Sequence, residues 1–405
     1  MRVHTRRVIV IAGIVALAFA AVGVLYLREY LGPDDPFEAD AITSAPFTSL
    51  TYGIQAFLWW DNGDAGKHLD WVRLLSFSHV KQTFAWRDVE PRPGEWDWTQ
   101  SDRIFAEIAR RDLSIIVRLG QVPGWARLPS QRAAHDAPAR DITRWAAYCS
   151  KVAERYQGRV AAYQIWNEPN LSREWGDSPP DPASYVTLLA ACSDAIRVAD
   201  PAATLISAGL APTGNNDDTA MPDDIYLDHM YRHGFQQHID AVGVHAPGFS
   251  PPEISPDSDE ALQRWFTFRR VEDLRKIMLS HDDAERQMAV MEFGYTTEQI
   301  NPDYKWFSVT EAQQAEMLER AYEYAIANWR PWVGLMVLIY LPDPSWREAD
   351  EEFWWSIVEP DTGIPRDAFY KVANMRKVCG GFEIPERESD SPVAEGRAPA
   401  PNCPK

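Results

Sequence analysis

Val160-Ala-Ala-Tyr-Gln-Ile-Trp-Asn-Glu-Pro-Asn170 is an apolar run that ends in a carboxylate, Glu168, with a proline directly after it. Met288-Ala-Val-Met-Glu-Phe-Gly294 repeats the arrangement with Glu292. Each run has the length and apolar content of a strand buried on both faces. An ionised group almost never enters such a setting without a partner or a task. The two glutamates are therefore read as functional before any structural role is considered.

Working outward from these runs (160–166 and 288–291), six more short apolar segments occur at 50–58, 79–85, 113–119, 204–210, 239–244 and 333–340. Helical periodicity fills intervals between them at 142–156, 182–198 and 310–328, the last opening with Thr310 and Gln313 as a capping box. Strands alternating with helices pair in parallel, and eight such units predict a (β/α)8 TIM barrel with its active site at the carboxyl ends of the strands. Glu168 follows the fourth strand and Glu292 the seventh. The rival architecture, an open doubly wound sheet, is set aside because no glycine-rich phosphate loop follows any strand.

The net charge of -19 excludes a nucleic-acid partner, since the 40 Lys and Arg are outnumbered and scattered rather than clustered. At the amino terminus Arg2, Arg6 and Arg7 precede an uncharged run over 8–27, about 20 residues and long enough to cross a bilayer. The expected organisation is a basic cytoplasmic stub (1–7), a transmembrane signal anchor (8–27), an acidic spacer (28–48), a barrel domain (49–378) and a Pro- and Glu-rich tail (379–405). Charge asymmetry puts the body on the extracytoplasmic side of the cell membrane. The competing reading is a signal peptide cleaved after Ala18-Phe-Ala20, giving a secreted body. Export permits disulfides. Cys379 and Cys403 bracket the tail in a way that would tie it down, Cys149 and Cys192 read as buried thiols in successive helices, and spacing alone leaves the pairing open.

Cleaving an acetal takes a proton for the departing oxygen and a partner for the oxocarbenium-like carbon, and two carboxyl groups meet both needs. Across a barrel mouth, Glu168 and Glu292 are expected at the roughly 5 to 5.5 Å spacing of retaining enzymes, Glu168 as acid and then base, Glu292 as nucleophile. Their pKa values have to diverge for this division of labour.

Trp166-Asn167-Glu168-Pro169-Asn170 together with Glu292-Phe293-Gly294 resembles the retaining glycoside hydrolases of clan A, which include cellulase-type and β-xylosidase-type families. Trp86, Glu90-Pro91-Arg92-Pro93-Gly94 and Trp96-Asp97-Trp98 are similar to a W-x-x-x-E-P-x-P-G-x-x-D-W pattern of several members, and His245 follows the sixth strand. The resemblance covers about residues 50–378. It implies a β-glycosidase acting on oligo- or polysaccharides without metal or cofactor, with Asn167 on the sugar 2-hydroxyl and His245 and Tyr295 lining the site near the nucleophile. Two departures bear on the first sugar subsite: His245-Ala246-Pro247 stands where members often carry His-x-Tyr, and Gln55 stands in place of an asparagine after the first strand.

Arg118, ending the third strand, has two readings of equal weight, a group that orients Glu292 or binds substrate and a structural ion pair. Most of the 17 tryptophans are packing. Trp59, Trp60, Trp125, Trp175, Trp346, Trp354 and Trp355 lie at predicted strand ends or in the loops after them. Trp60, Trp86 and Trp354 are the ones placed in the site for stacking on sugar, with Trp355 beside Trp354 after the eighth strand. His229, His233 and His238 lack the glutamate of a H-E-x-x-H site, and Gly234 ends their helix, so a solvated helix end replaces a metal there. The function expected in a different class is a non-catalytic glycan-binding barrel at the cell surface. Possession of both glutamates argues against it.

Overall fold

The computed structural model describes residues 37–60, 65–261 and 263–387. Eight parallel strands close in sequence order into a barrel: β1 (Thr51–Gln55), β2 (His79–Ala85), β3 (Ser114–Gly120), β4 (Ala162–Ile165), β5 (Leu205–Ile206), β6 (Ala241–His245), β7 (Gln287–Phe293) and β8 (Val333–Leu338), with β8 pairing back to β1. Each overlaps a segment where the sequence predicts a strand. β5 is only two residues long, because the chain leaves the ladder after Ile206 while Gly243 N–H turns to the Ser207 hydroxyl at 2.9 Å.

Side chains alternate between the barrel interior and the helical shell. Ile116, Ala162, Ile206, Ala241, Ala289, Met291, Leu335 and Val337 form an inner cluster separate from the larger outer core. Three alanines among them keep the interior narrow. Phe47 joins this cluster from the segment ahead of β1 and closes the amino-terminal end of the barrel. Its backbone is pinned to β7: Phe47 N–H donates to Gln287 Oε1 at 3.1 Å, and Gln287 Nε2 donates to the Phe47 carbonyl at 3.2 Å.

The helices Ile142–Arg155 and Pro182–Ala199 are capped by Asp141 and Asp181, and Thr310 with Gln313 forms the reciprocal capping box at the start of Glu311–Asn328. Cys149 and Cys192 are disulfide-bonded and join the first two of these helices, which corrects their assignment as thiols. Two helices packed face to face bring the sulfurs together, which linear spacing does not reveal. Cys379 is also disulfide-bonded, and Cys403 lies outside the described residues.

From Phe37 onward the expected spacer packs on the barrel, with Phe37 against Trp332 at 5.2 Å and its carbonyl accepting from Arg275. At the other end β9 (Lys377–Cys379) and β10 (Phe382–Ile384) form a hairpin whose Val378 N–H donates to the Tyr52 hydroxyl at 3.0 Å, and Arg387 reaches Ser76. The stub and the membrane segment at 8–27 lie outside the described residues. Among the described residues no helix is long and apolar enough to cross a membrane.

Phe47→Ala is expected to lower stability by about 3 to 5 kcal/mol, since the void it leaves is walled by strands that cannot collapse. An unchanged urea midpoint for this variant would show that the barrel floor does not depend on the plug.

Candidate active site

Strict alternation along β7 would send Glu292 outward with Met288 and Val290. The pairing register instead shifts on both sides of this strand, between Val244 and His245 of β6 and between Val290 and Phe293 of β7. Such a bulge re-aims the following side chain, and here it turns Glu292 into the barrel mouth beside His245.

Glu168 arrives differently. After β4 the backbone takes positive φ at Trp166 (75°) and Glu168 (42°), a region that side-chain-bearing residues rarely occupy. The turn is held by its neighbours. Glu168 N–H donates to the Gly209 carbonyl at 3.0 Å, and the buried Asn170 amide bonds the Ala211 and Met221 carbonyls and accepts from Ala211 N–H. Asn170 thus clamps the turn to the loop after β5.

One carboxylate oxygen from each of Glu168 and Glu292 and an imidazole nitrogen of His245 lie within 4.8 Å of one another. His245 Nδ1 is 2.9 Å from Glu168 Oε1 and 3.8 Å from Glu292 Oε2. The imidazole has room because position 209 is glycine, where a Cβ would stand 2.1 Å from its ring. Lys81, fully buried in β2, donates to Glu292 Oε1 at 2.8 Å and to the Met291 carbonyl at 3.0 Å, and Arg118 Nη1 stands 3.5 Å from the same Oε1. Arg173, from the loop after β4, is 3.4 Å from Glu168 Oε2.

Burial by itself would raise the pKa of Glu292, but the charges of Lys81, His245 and Arg118 outweigh it and bring the carboxyl down to about 2. Lys81 is pushed the other way: burial lowers it to about 8, with Glu292 opposing. Burial also works against ionisation of Glu168, yet the hydrogen bond and field of His245 leave it below the ordinary carboxylate range. The two carboxyls titrate together, so their protons belong to the pair before they belong to a residue. The same donors have the spacing of a metal site, but two cations already hold one oxygen of Glu292 and disfavour a third.

A cavity of about 730 Å³ opens above the pair. Arg118, Asn167, Glu168, His245 and Glu292 all line it. Four residues expected there do not. Tyr295 is buried behind Gly248, and its hydroxyl has no hydrogen-bond partner among the described residues. Trp86 is a scaffold residue, stacked on Tyr148 at 5.3 Å with its indole N–H on Glu90. Trp60 is 65% exposed away from the cavity. Trp354 is buried with its N–H on the Glu348 carbonyl, and Trp355 lines the cavity in its place, since consecutive helical residues point about 100° apart.

Sequence reasoning missed Lys81, Arg173 and the aromatic residues of the loops after β6 and β7. A signal for Lys81 was available, a lysine inside the strand at 79–85 that otherwise reads as buried. Arg173 sits in a loop and had none.

No protein-family model matches the chain, and no curated protein matches it in sequence. Solved structures do resemble it. A family 39 glycoside hydrolase from Bacteroides cellulosilyticus WH2 aligns with TM-score 0.60 at 18% identity over 84% of this chain, which spans 64% of that enzyme. An exo-β-1,4-mannosidase from Opitutaceae bacterium strain TAV5 aligns with TM-score 0.54 at 17% identity, covering 82% of this chain and 61% of the other. Xylanase 10B from Thermotoga maritima aligns with TM-score 0.53 at 14% identity, covering 83% and 95%. At these identities the likeness establishes the shared barrel fold.

Replacing Lys81 by Met removes the nearest cation from Glu292 while keeping the bulk of the side chain. The Glu292 carboxyl is expected to titrate well above its parent value of about 2, as followed by carboxyl carbon NMR against pH. An unmoved titration would end the assignment of Lys81 as the group that holds Glu292 ionised.

Proposed function

We propose that the chain is a retaining β-glycosidase that hydrolyses O-glycosidic bonds of oligo- or polysaccharides by double displacement. The observation that carries this reading is the approach of Glu168 and Glu292 to within 4.8 Å at the carboxyl ends of β4 and β7. Inverting enzymes hold their carboxyl groups roughly 6.5 to 9.5 Å apart to admit a water between them, so the shorter spacing supports retention. The clan A resemblance of the motifs and the barrel shared with solved glycoside hydrolases point the same way.

In the first step Glu292 attacks the anomeric carbon. Its Oε1 is engaged by Lys81 and Arg118, which leaves Oε2 to form the bond. Glu168 gives its proton to the departing oxygen, and a covalent glycosyl-enzyme results. In the second step Glu168, now a carboxylate, takes a proton from water, the hydroxyl adds to the anomeric carbon, and Glu292 leaves. Asn167 lines the cavity beside Glu168 and is suited to the 2-hydroxyl. Water is the only other reactant.

The disulfide between Cys149 and Cys192 supports an oxidising compartment. With the apolar run at 8–27 it favours a body outside the cytoplasm, held at the membrane by that segment.

A panel of aryl β-glycosides, offered to the body from residue 37 onward, tests the activity. Glu292→Gln is expected to abolish turnover, and Glu168→Gln to slow it by several orders of magnitude while sparing the most acidic phenol leaving groups, which need no proton. If parent and both variants behave alike, the enzymatic reading fails.

Activity further requires Glu292 ionised and Glu168 protonated, so the alkaline limb of kcat/KM follows Glu168. His245 is the group that holds Glu168 down. Its removal raises the Glu168 pKa, and a higher acid pKa carries that limb to higher pH. The pH profile of His245→Ala is expected to move in this direction; movement toward acid would contradict the assigned role.

A further inference from the structure

The loop after β7 displays an aromatic side chain that packing does not account for. Of the large apolar side chains left exposed among the described residues, Trp306 alone lines the cavity, at 53% exposure. It is nevertheless held in place. Asn301 caps the short helix Pro302–Lys305 by accepting from Asp303 N–H, and the Trp306 indole N–H donates to the Asp303 carbonyl at 2.9 Å. The next residue, Phe307, is buried as an anchor. Behind the indole lies Phe249, with ring centroids 5.9 Å apart and planes 25° from parallel, and Phe266 meets it at 5.6 Å. Two loops thus build an aromatic wall, and one restrained indole stands out from it into the cavity.

The wall belongs to the side of the cavity served by Glu168. Tyr304, two residues before Trp306, lies close enough to Glu351 and Arg173 for both to act on its hydroxyl, and Arg173 reaches Glu168 Oε2. In the double-displacement reading Glu168 faces the departing oxygen, so what lies beyond it is the departing sugar. Charge around the wall is mostly negative: Asp303, Glu351 and Glu352 line this flank of the cavity, against Arg173.

We propose that Trp306 is the stacking platform for the leaving-group sugar, and that this sugar is an uncharged ring. The inference rests on the glycosidase function proposed above. An indole that is already restrained loses little freedom when a ring settles its apolar C–H face on it. A uronic acid at the same place meets carboxylates and is repelled.

The experiment compares two substrates of the same glycone in the parent body, Trp306→Ala and Trp306→Tyr. One is the β-glycosyl fluoride, whose leaving group has no ring to stack. The other is the β-linked oligosaccharide, with glucosyl, xylosyl and mannosyl versions screened to find the one turned over. Trp306→Ala is expected to keep kcat/KM for the fluoride within about two-fold and to lower it for the oligosaccharide roughly ten-fold, chiefly through KM, with Trp306→Tyr restoring most of the loss. In the parent, oxidising the leaving sugar to its uronic acid is expected to lower turnover. An equal loss on both substrates, or none on the oligosaccharide, overturns the platform; undiminished turnover of the uronic acid overturns the uncharged class. A parent inert toward every fluoride and oligosaccharide fails at the glycosidase reading itself, and the platform falls with it.

Discussion

Two carboxylates within 4.8 Å of one another in a buried cavity repel, and the rim of the barrel is arranged around that cost. Neither can be left to burial alone, which would protonate both. Lys81 and Arg118 answer the charge of Glu292 from below, inside the barrel, while His245 and Arg173 answer that of Glu168 from beside and above it. Removing any one of these leaves a charge in low dielectric without its counterpart, which is why the buried Lys81 is tolerated in a strand that otherwise carries apolar residues.

The barrel supplies rigidity for this arrangement, and its local departures from regularity supply the aim. A regular β7 would bury Glu292 against helices; the bulge brings it to the axis. A regular exit from β4 would carry Glu168 past the mouth. Positive φ at Trp166 and Glu168 folds it back, at a cost of order 1 to 3 kcal/mol per strained residue. That strain persists because Asn170 and the Gly209 carbonyl over-determine the turn. The Asn-Glu-Pro-Asn sequence is therefore one mechanical unit, in which the second asparagine holds what the glutamate uses.

What the sequence disclosed follows from the range over which each interaction acts. Strand positions, the capping box of Thr310 and Gln313, and the two glutamates depend on residues a few places apart, and all are legible. The plug at Phe47 and the hairpin at 377–384 depend on contacts with segments more than 200 residues away, so they read as spacer and tail. The tryptophans divide the same way. Trp86 directly follows β2 and Trp354 lies in the helix Glu351–Trp355 after β8, but whether such a ring faces the cavity or the core is decided by a rotation of one residue or by the helix it meets. Trp306 carried no local mark, because its exposure is a property of the loop it shares with Phe249 and Phe266.

The division of labour between the glutamates can be argued from where the cations sit. Glu292 has two on one oxygen, Lys81 fully buried inside the barrel and Arg118 largely so at the cavity wall, so its ionised state depends little on what enters the cavity. Glu168 has no such fixed pair. It has an imidazole and a single guanidinium, Arg173, whose side chain is 61% exposed and stands near Tyr304 at the mouth. In the proposed reaction, a saccharide entering past Tyr304 would compete for that guanidinium and exclude water, and both changes would remove support for the carboxylate. Burial and the charge of Glu292 then push Glu168 toward its protonated form, opposed chiefly by His245. Occupancy of the cavity would thus act on one carboxyl more than on the other, which is the asymmetry that the proposed acid and nucleophile need.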